Sequence, residues 1–564
     1  MSAMVDETET TASENSFLHP MLDRWRRTPD ALVGIFHDGD DWREVSGGQF
    51  LRRALQFAAL LSGAGVRSGD IVLIVLEHGV DAHAAFIGAM FAGSVPGFMP
   101  SPSVKQDAAL YWHQHREVFA HTKPGAILVN DSLYEPVLAA ADGSGAGVVT
   151  VSSVDSFLPA ELGALPYSGA TALLQHSSGT TGLKKGVQLT YGAIVSQLSA
   201  YQRALELGAV PEPRFASWLP LYHDMGLLSS FLMPIWLGIP ILSIDPFEWT
   251  RAPSLLFEAI QTYRGTHAWV PNFSLLHHVK SARKNASWDL SSLRAIICCS
   301  EPNKAEAFDA FLERFSTWGV VASTLQTCYA MAETVFAVSQ SRTGEPVRRL
   351  TVDRSALQTQ RLVEEPQEGS GVTVLLSNGL PIDGCQVKIL KDGDFVEERL
   401  VGEVCVTAPF LFSGYFNNEA ATTAAFRGEW LRTGDLGFLD QGEIFIVGRL
   451  KDIIIVNGKN IVAHDVEAAV SRVPHIKPGR AVAFGHYVPS IGSEQLIVVA
   501  ERLESCPDEA VVTALINHAV SEEIGVSCSD VRLVDVGWLV KTTSGKMSRS
   551  ENVKKYIESF LMSI

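Results

Sequence analysis

This sequence predicts an α/β protein with a large layered N-terminal domain and a small α+β C-terminal domain, on three observations. Up to about Val447, helical stretches alternate with short Val/Ile/Leu runs such as Asp70–Leu76 and Ala295–Cys299, the pattern of strands buried between helical layers. From Asp452 the rhythm changes to a hairpin signal at Asn457-Gly458, a helix over 463–472, a strand over 495–500 and a helix over 508–523. The length, 564 residues with 46% apolar side chains, is enough for three to four domain-sized units with sizeable cores. No internal repeat interrupts this plan.

Each remaining stretch has a bland reading that fits the same plan. Met1–Ser16 is acidic and has no apolar segment, so it predicts a disordered tail and no signal peptide. Gly63–Gly69 has its third glycine one position late for a dinucleotide loop and precedes a strand, so it predicts a turn. Met225–Ile244 carries no charge over 20 residues, but Pro234, Gly238 and Pro240 break it, which predicts buried core and no membrane span. The formal charge of −17 argues against nucleic acid or an anionic membrane as partner, both being polyanions. Cysteines 298, 299, 328, 385, 405, 506 and 528 show no zinc spacing and predict core thiols in a reducing, cytoplasmic setting.

The most informative stretch is Gln175–Val187. Its Ser177, Ser178, Thr180 and Thr181 hydroxyls, the freely turning Gly179 and Gly182, and the cations Lys184 and Lys185 make a loop suited to phosphate. An apolar run, Thr171–Leu174, predicts a strand before it, and Gly192–Leu205 predicts a helix after it. A P-loop is disfavoured, because Lys184 stands where that pattern needs its second glycine.

This string resembles the signature loop of the adenylate-forming superfamily, which includes acyl-CoA synthetases, peptide-synthetase adenylation domains and fatty acyl-AMP ligases. Further strings follow in the expected order: Trp218–Gly226, Tyr329–Thr334, Gly402-Glu403, Gly414-Tyr415, Thr433-Gly434-Asp435, Gly448–Asp452 and Ser544-Gly545-Lys546. Ala330 stands where glycine is usual, Val540 where proline is usual, and Lys184 where proline is often found. The resemblance implies a large domain over 17–448, a hinge over 449–452 centred on Lys451, and a small domain over 453–564 that carries Lys546.

It also implies ATP and Mg²⁺ as cofactors and attack of a carboxylate on the α-phosphorus of ATP. Two anions must meet there, so the developing charge needs stabilisation. By resemblance, Lys546 bridges the acid and the α-phosphate, and Lys185, Thr334 and His223 complete the catalytic set. Ser177–Gly182 hold phosphates; Tyr329 and Ser300-Glu301-Pro302 lie against adenine; Asp435 and Arg449 take the ribose; Glu333 holds the metal.

Trp218, Asp224, Trp269, Asn272 and Phe273 are expected around the acid. Amino-acid-activating enzymes use an Asp near position 224 for the substrate amine, but His-Asp-Met-Gly after Pro-Leu-Tyr resembles the fatty acyl-AMP ligases more closely. A fatty or other hydrophobic acid is therefore expected. The stretch 342–371 resembles the insertion of those ligases, which hinders the rearrangement that CoA thioester formation requires. The expected acceptor is accordingly the phosphopantetheine of an acyl carrier protein, with CoA second. A silent adenylate-binding protein would share the fold but has no need of Lys546, Glu333 and Lys185.

Overall fold

A computed structural model describes the chain except residues 1–15, 40, 103–107, 177–184, 284–285, 367–370, 457–458, 489–492, 505, 507, 542–546 and 562–564. Most of the expected tail thus lies outside the described residues; Ser16, assigned to it, is instead buried and accepts a hydrogen bond from the His19 N–H.

Among the described residues, the central sheet runs in the order Leu380–Pro381, Ala337–Gln340, Leu325–Ala330, Ala295–Cys298, His267–Val270, Phe215–Ser217, Ile241–Ser243, Leu32–Asp38, Asp41–Ser46. Its six inner strands are all parallel, and antiparallel strands close both edges. Inner strands such as Ala295–Cys298 are buried along their whole length, which is why they read as unbroken apolar runs. A second parallel sheet is formed by Val95–Phe98, Ile71–Val75, Ala126–Val129 and Gly147–Thr150. Between the two, helices Gly47–Gly63 and Val80–Phe91 cross so closely that a Cβ on Gly88 would lie 2.5 Å from the Ala54 carbonyl oxygen.

The charge-free stretch after Met225 is core, as its punctuation suggests. It forms a π-helix over Met225–Leu232 that runs into the α-helix Met233–Leu237 and then the strand Ile241–Ser243. Pro234 does not break it, because it stands in the first turn of the α-helix, where no backbone donor is required. Gly238, left-handed at φ 75°, is the actual stop. No helix among the described residues is long and apolar enough to cross a membrane.

One local expectation is corrected. The strand Thr171–His176 does not pass through the phosphate-type loop directly into a helix: Gly186–Thr190 returns antiparallel to it, and only then does the helix Tyr191–Ala204 begin. The loop therefore crowns a hairpin.

Beyond the antiparallel sheet that ends with Trp430–Asp440 and Glu443–Arg449, the chain forms a smaller lobe. There Ile453–Val456 and Lys459–Val462 pair as a two-residue hairpin around the undescribed 457–458. The sheet of Ile476–Val488, Ser493–Arg502 and Asp530–Val534 has one core on each face, with helices Ala463–Val470 and Glu509–Ile524 on one side and Arg549–Tyr556 on the other. This is the large-plus-small α/β architecture that the sequence predicts.

Candidate active site

Parallel strands deliver their C-terminal ends to one edge of a sheet, and here four neighbours do so side by side. Phe215–Ser217 leads into Trp218, His267–Val270 into Asn272 and Phe273, Ala295–Cys298 into Ser300-Glu301-Pro302, and Leu325–Ala330, which contains Tyr329, into Glu333. Residues more than 100 positions apart thereby line one cleft. The loops are tied together: Glu301 Oε2 accepts from the Phe273 N–H at 3.1 Å, and Asn272 Oδ1 from the Lys304 N–H at 3.1 Å. Ser300 adopts a left-handed φ of 67°, which turns the chain sharply out of the sheet.

One half of the cleft consists of polar side chains that hold each other. The Tyr329 hydroxyl donates to Asp435 Oδ2 at 2.7 Å, and Arg449 Nε to Asp435 Oδ1 at 2.9 Å. Asp435 and Arg449 are directly opposed in the hairpin of strands Trp430–Asp440 and Glu443–Arg449, so sheet register fixes the pair. Glu403 explains a motif whose role was open: its carboxylate accepts from the Gly434 N–H at 3.1 Å and from Arg432, pinning the turn that presents Asp435.

Glu333 accepts from the Tyr415 hydroxyl at 2.8 Å, and the ring of Tyr415 carries Lys185 Nζ 4.4 Å from its centroid. Burial raises the Glu333 pKa above the usual carboxylate range, and the nearby Asp224 adds to this against the hydrogen bond from Tyr415 and the charge of Lys185. Among the described residues no three His, Cys, Asp or Glu side chains converge as a metal cage. The donor set suits a hard cation held by one carboxylate plus phosphate and water oxygens.

Thr334 takes a different position from the expected one. Val335 has φ 65° and ψ −58°, a γ-turn closed by the Phe336 N–H donating to the Thr334 carbonyl at 2.7 Å. Such backbone costs roughly 1–3 kcal/mol in a β-branched residue. The fully buried Thr334 hydroxyl lies 2.8 Å from the Phe336 carbonyl oxygen and 3.0 Å from that of Met331, where it braces this turn and does not face the cleft.

The other half is aromatic. Trp218 and Trp249 stack with centroids 3.5 Å apart and planes 1° from parallel, and Phe273 meets both edge-on. Trp269, expected here, is corrected: it is fully buried within the sheet layer, donating through Nε1 to the Tyr201 hydroxyl at 2.8 Å. Its ring packs against Phe215 and Tyr201 on one face of the sheet. In the acid motif, a Cβ on Gly226 would sit 2.3 Å from the Pro220 carbonyl oxygen, so only glycine lets the π-helix start this close. His223 Nδ1 and Asp224 Oδ1 lie 2.6 Å apart, and Asp224 also caps the helix through the Met225 N–H at 2.8 Å. That carboxylate is already engaged. Gln175 joins this motif to the phosphate hairpin by donating to the Tyr222 carbonyl at 2.9 Å.

Lys546 and Ser177–Gly182 lie outside the described residues. Lys451 is exposed on a 3₁₀ turn, its pKa lowered by desolvation and by Arg449. Sequence reasoning assigned no role to Asp452 and Arg549: the guanidinium of Arg549 binds Asp452 at 2.6 Å, Glu467 at 2.6 Å and the Ala483 carbonyl at 2.9 Å. It also missed the contacts between lobes. Lys304 pairs with Asp465 at 2.7 Å, Arg361 donates to Asn460 Oδ1 at 3.1 Å, and Asn460 donates to the Gln358 carbonyl at 3.1 Å. Composition carries no trace of such pairings, since each partner alone reads as a solvated polar residue.

A cleft at strand ends that couples a phosphate hairpin, a buried single carboxylate and a tyrosine–aspartate–arginine set defines a nucleotide-activating site. The family model described as AMP-binding enzyme matches residues 22–416, and the chain belongs to this family, the adenylate-forming superfamily. It is 30% identical over 554 residues to the long-chain-fatty-acid–AMP ligase FadD26 of Mycobacterium tuberculosis, covering 92% of each chain. It is 33% identical over 412 residues to the medium-chain-fatty-acid–acyl-carrier-protein ligase JamA of Moorena producens, covering 70% of this chain and 69% of that one. Among solved structures, one from a study of fatty acyl-adenylate ligases of E. coli and L. pneumophila matches with a TM-score of 0.89 at 26% identity over 98% of both chains.

Proposed function

We propose that the protein is a ligase that uses ATP to convert a fatty or otherwise hydrophobic carboxylic acid to its acyl adenylate. It then passes the acyl group to the phosphopantetheine thiol of an acyl carrier protein. The observation that carries this reading is the single strand-end edge on which an aromatic wall adjoins Tyr329, Asp435 and Glu333. The relatives named as fatty acid–AMP and acyl-carrier-protein ligases support the same substrate and acceptor.

In the first step a carboxylate oxygen bonds to the α-phosphorus while the bond from that phosphorus to the bridging oxygen breaks, and pyrophosphate leaves. Asp435 and Arg449 fix the ribose, Tyr329 lies against the base with Ser300-Glu301-Pro302, and Ser177–Gly182 with Lys185 take the phosphates. Glu333 holds Mg²⁺, which neutralises phosphate oxygens when bound. His223, oriented by Asp224, borders the acid. Lys546 contributes most where charge accumulates, between the acid and the α-phosphate. In the second step the thiol sulfur bonds to the acyl carbon, the bond to the adenylate oxygen breaks, AMP leaves and the thiol proton passes to solvent.

For that step the small lobe, 453–564, turns about Lys451. The segment 342–371 supports a carrier over CoA as acceptor: Gln358 and Arg361 bind Asn460 on the small-lobe hairpin, and Arg354 donates to the Glu523 carbonyl. An amino-acid substrate is disfavoured because Asp224 is committed to His223 and the Met225 N–H. Free cysteines throughout support a reducing, cytoplasmic location.

The test is acid-dependent release of pyrophosphate from ATP, followed by acyl transfer to a holo carrier protein or to CoA. Lys546→Ala should slow adenylate formation by roughly 10²–10³-fold; an undiminished rate contradicts the mechanism. Absence of pyrophosphate with every acid favours a silent binding protein, and faster acylation of CoA than of the carrier reverses the acceptor. Lys451→Pro that spares both half-reactions removes the hinge.

A further inference from the structure

Tyr415 touches both Glu333 and Lys185, and no role follows for it from the reaction just described. Its position is set twice. In the strand Gly414–Tyr415 it pairs with Val187 of the hairpin that bears Lys185, and its N–H donates to Thr422 Oγ1 at 2.9 Å. Three residues before Tyr415, the Phe412 N–H reaches the Glu333 carbonyl at 2.8 Å, so the backbone of Glu333 is held by the same stretch.

From this fixed point the phenol works in two directions. The hydroxyl donates to Oε1 of Glu333 at 2.8 Å, which fixes the carboxylate rotamer and leaves Oε2 without that bond. The ring face holds Lys185 Nζ at 4.4 Å from its centroid. Among the described residues Glu333 forms no ion pair with Lys185, although the two charges are close enough to influence each other. A lysine and a buried carboxylate at this range would otherwise collapse into a salt bridge, cancelling the anion needed for a cation and the cation needed for phosphate.

We infer that Tyr415 is a positioning residue of the activation step, orienting Glu333 through its hydroxyl and keeping Lys185 apart from it through its ring. This rests on the reading of Glu333 as the metal-holding carboxylate and Lys185 as a phosphate contact. Hydrogen-bond partners of metal-binding carboxylates typically govern metal affinity by about 10–100-fold.

Two substitutions separate the two roles. Tyr415→Phe keeps the ring and removes the hydroxyl; it should raise the Mg²⁺ concentration for half-maximal pyrophosphate release by about 10–100-fold, with the KM for ATP at saturating Mg²⁺ and the KM for the acid little changed. Tyr415→Leu removes both and should raise the KM for ATP as well, since Lys185 is then free to pair with Glu333. Calorimetric titration of ATP with and without Mg²⁺, in the absence of any acid, reads the same order without turnover: the Mg²⁺-dependent gain in ATP affinity should shrink in Tyr415→Phe. Glu333→Gln is the reference. An unchanged Mg²⁺ requirement in Glu333→Gln overturns the metal reading itself. A changed requirement in Glu333→Gln with a wild-type requirement in Tyr415→Phe overturns the role of Tyr415 alone, and equal ATP affinities for the Phe and Leu variants overturn the spacing of Lys185.

Discussion

Around Glu333 and Asp435, buried polar side chains are paired with one another, whereas for the buried histidines of the apolar layers burial itself favours the neutral form. In the first region Asp435 is bound by Tyr329 and Arg449, and Glu333 by Tyr415. In the second, His278 lies against Trp249 and Phe257, and its ring nitrogens have no hydrogen-bond partner among the described residues. Elsewhere, His83 packs against Phe36 and against Phe231 of the π-helix, beside His78, with its Nδ1 2.7 Å from the Gly79 carbonyl oxygen. Burial disfavours the charged form, and charged or hydrogen-bonding partners oppose that shift to an extent set by their geometry.

The largest test of this contrast is acid. Burial lowers the pKa of His78 to about 4, of His83 to about 3, of His267 to about 4 and of His278 to about 3. Each is depressed from an unfolded value near 6.5, so the unfolded chain binds the extra protons. The stability these groups confer is whole above about pH 6.5 and is lost as pH falls toward their folded values. Four such groups give a slope of about 5 kcal/mol per pH unit once all titrate. The urea midpoint should therefore fall steeply between pH 6.5 and 5, with proton uptake on unfolding; a flat profile there breaks the contrast.

Removing a partner from a charged set comes next. In the small lobe, burial alone would raise the pKa of Glu467, but His464, Arg549 and the Ala483 N–H together bring it below its usual value. Its contribution is therefore present above about pH 4.5 and lost only below that, a different window from the histidines. Arg549→Ala removes the guanidinium from both Asp452 and Glu467, leaving His464 and the Ala483 N–H as partners, and should cost about 3 kcal/mol. Thermal unfolding at neutral pH measures it, and a loss below 1 kcal/mol shows that water replaces the guanidinium.

Within the cleft the effects shrink further and should separate by substrate. Asp435→Asn should raise the KM for ATP by about 10–100-fold, the range of a hydrogen bond to a charged group, and Tyr329→Phe by less, about 5-fold, because Arg449 still holds Asp435. Neither should shift the KM for the acid. Phe273→Ala, at a half-exposed ring, should raise the KM for a long-chain acid by about 5-fold, in line with roughly 1 kcal/mol of apolar contact, and leave ATP alone. Steady-state kinetics with both substrates varied would expose any crossing of these effects, which would mean that the two halves are coupled.

How far the site could be read from sequence follows the same division. Tyr329, Glu333, Asp435 and Arg449 stand in short strings whose local chemistry is unusual, and folding brings the first, third and fourth of them into direct contact. Thr334 shares such a string, but its hydroxyl is claimed by the γ-turn at Val335, a backbone event with no sequence signal. Trp269 misled because an apolar aromatic string is common to pocket walls and sheet interiors; which it is depends on where the strand ends. Trp249 and His278 escaped notice for the converse reason, lying outside every motif.

The alternation of apolar strand runs with helical stretches, the small-lobe hairpin and helices, and the set of phosphate-type, acidic and basic residues are written locally, because periodicity and turn chemistry act over a few neighbours. What tertiary structure alone decided is which charges meet: Tyr415 with Glu333 and Lys185, Arg549 with Asp452 and Glu467, Asn460 with Arg361. Those pairings join residues 82 to 230 positions apart, and their strength comes from a shared desolvated space that exists only after the strands have assembled.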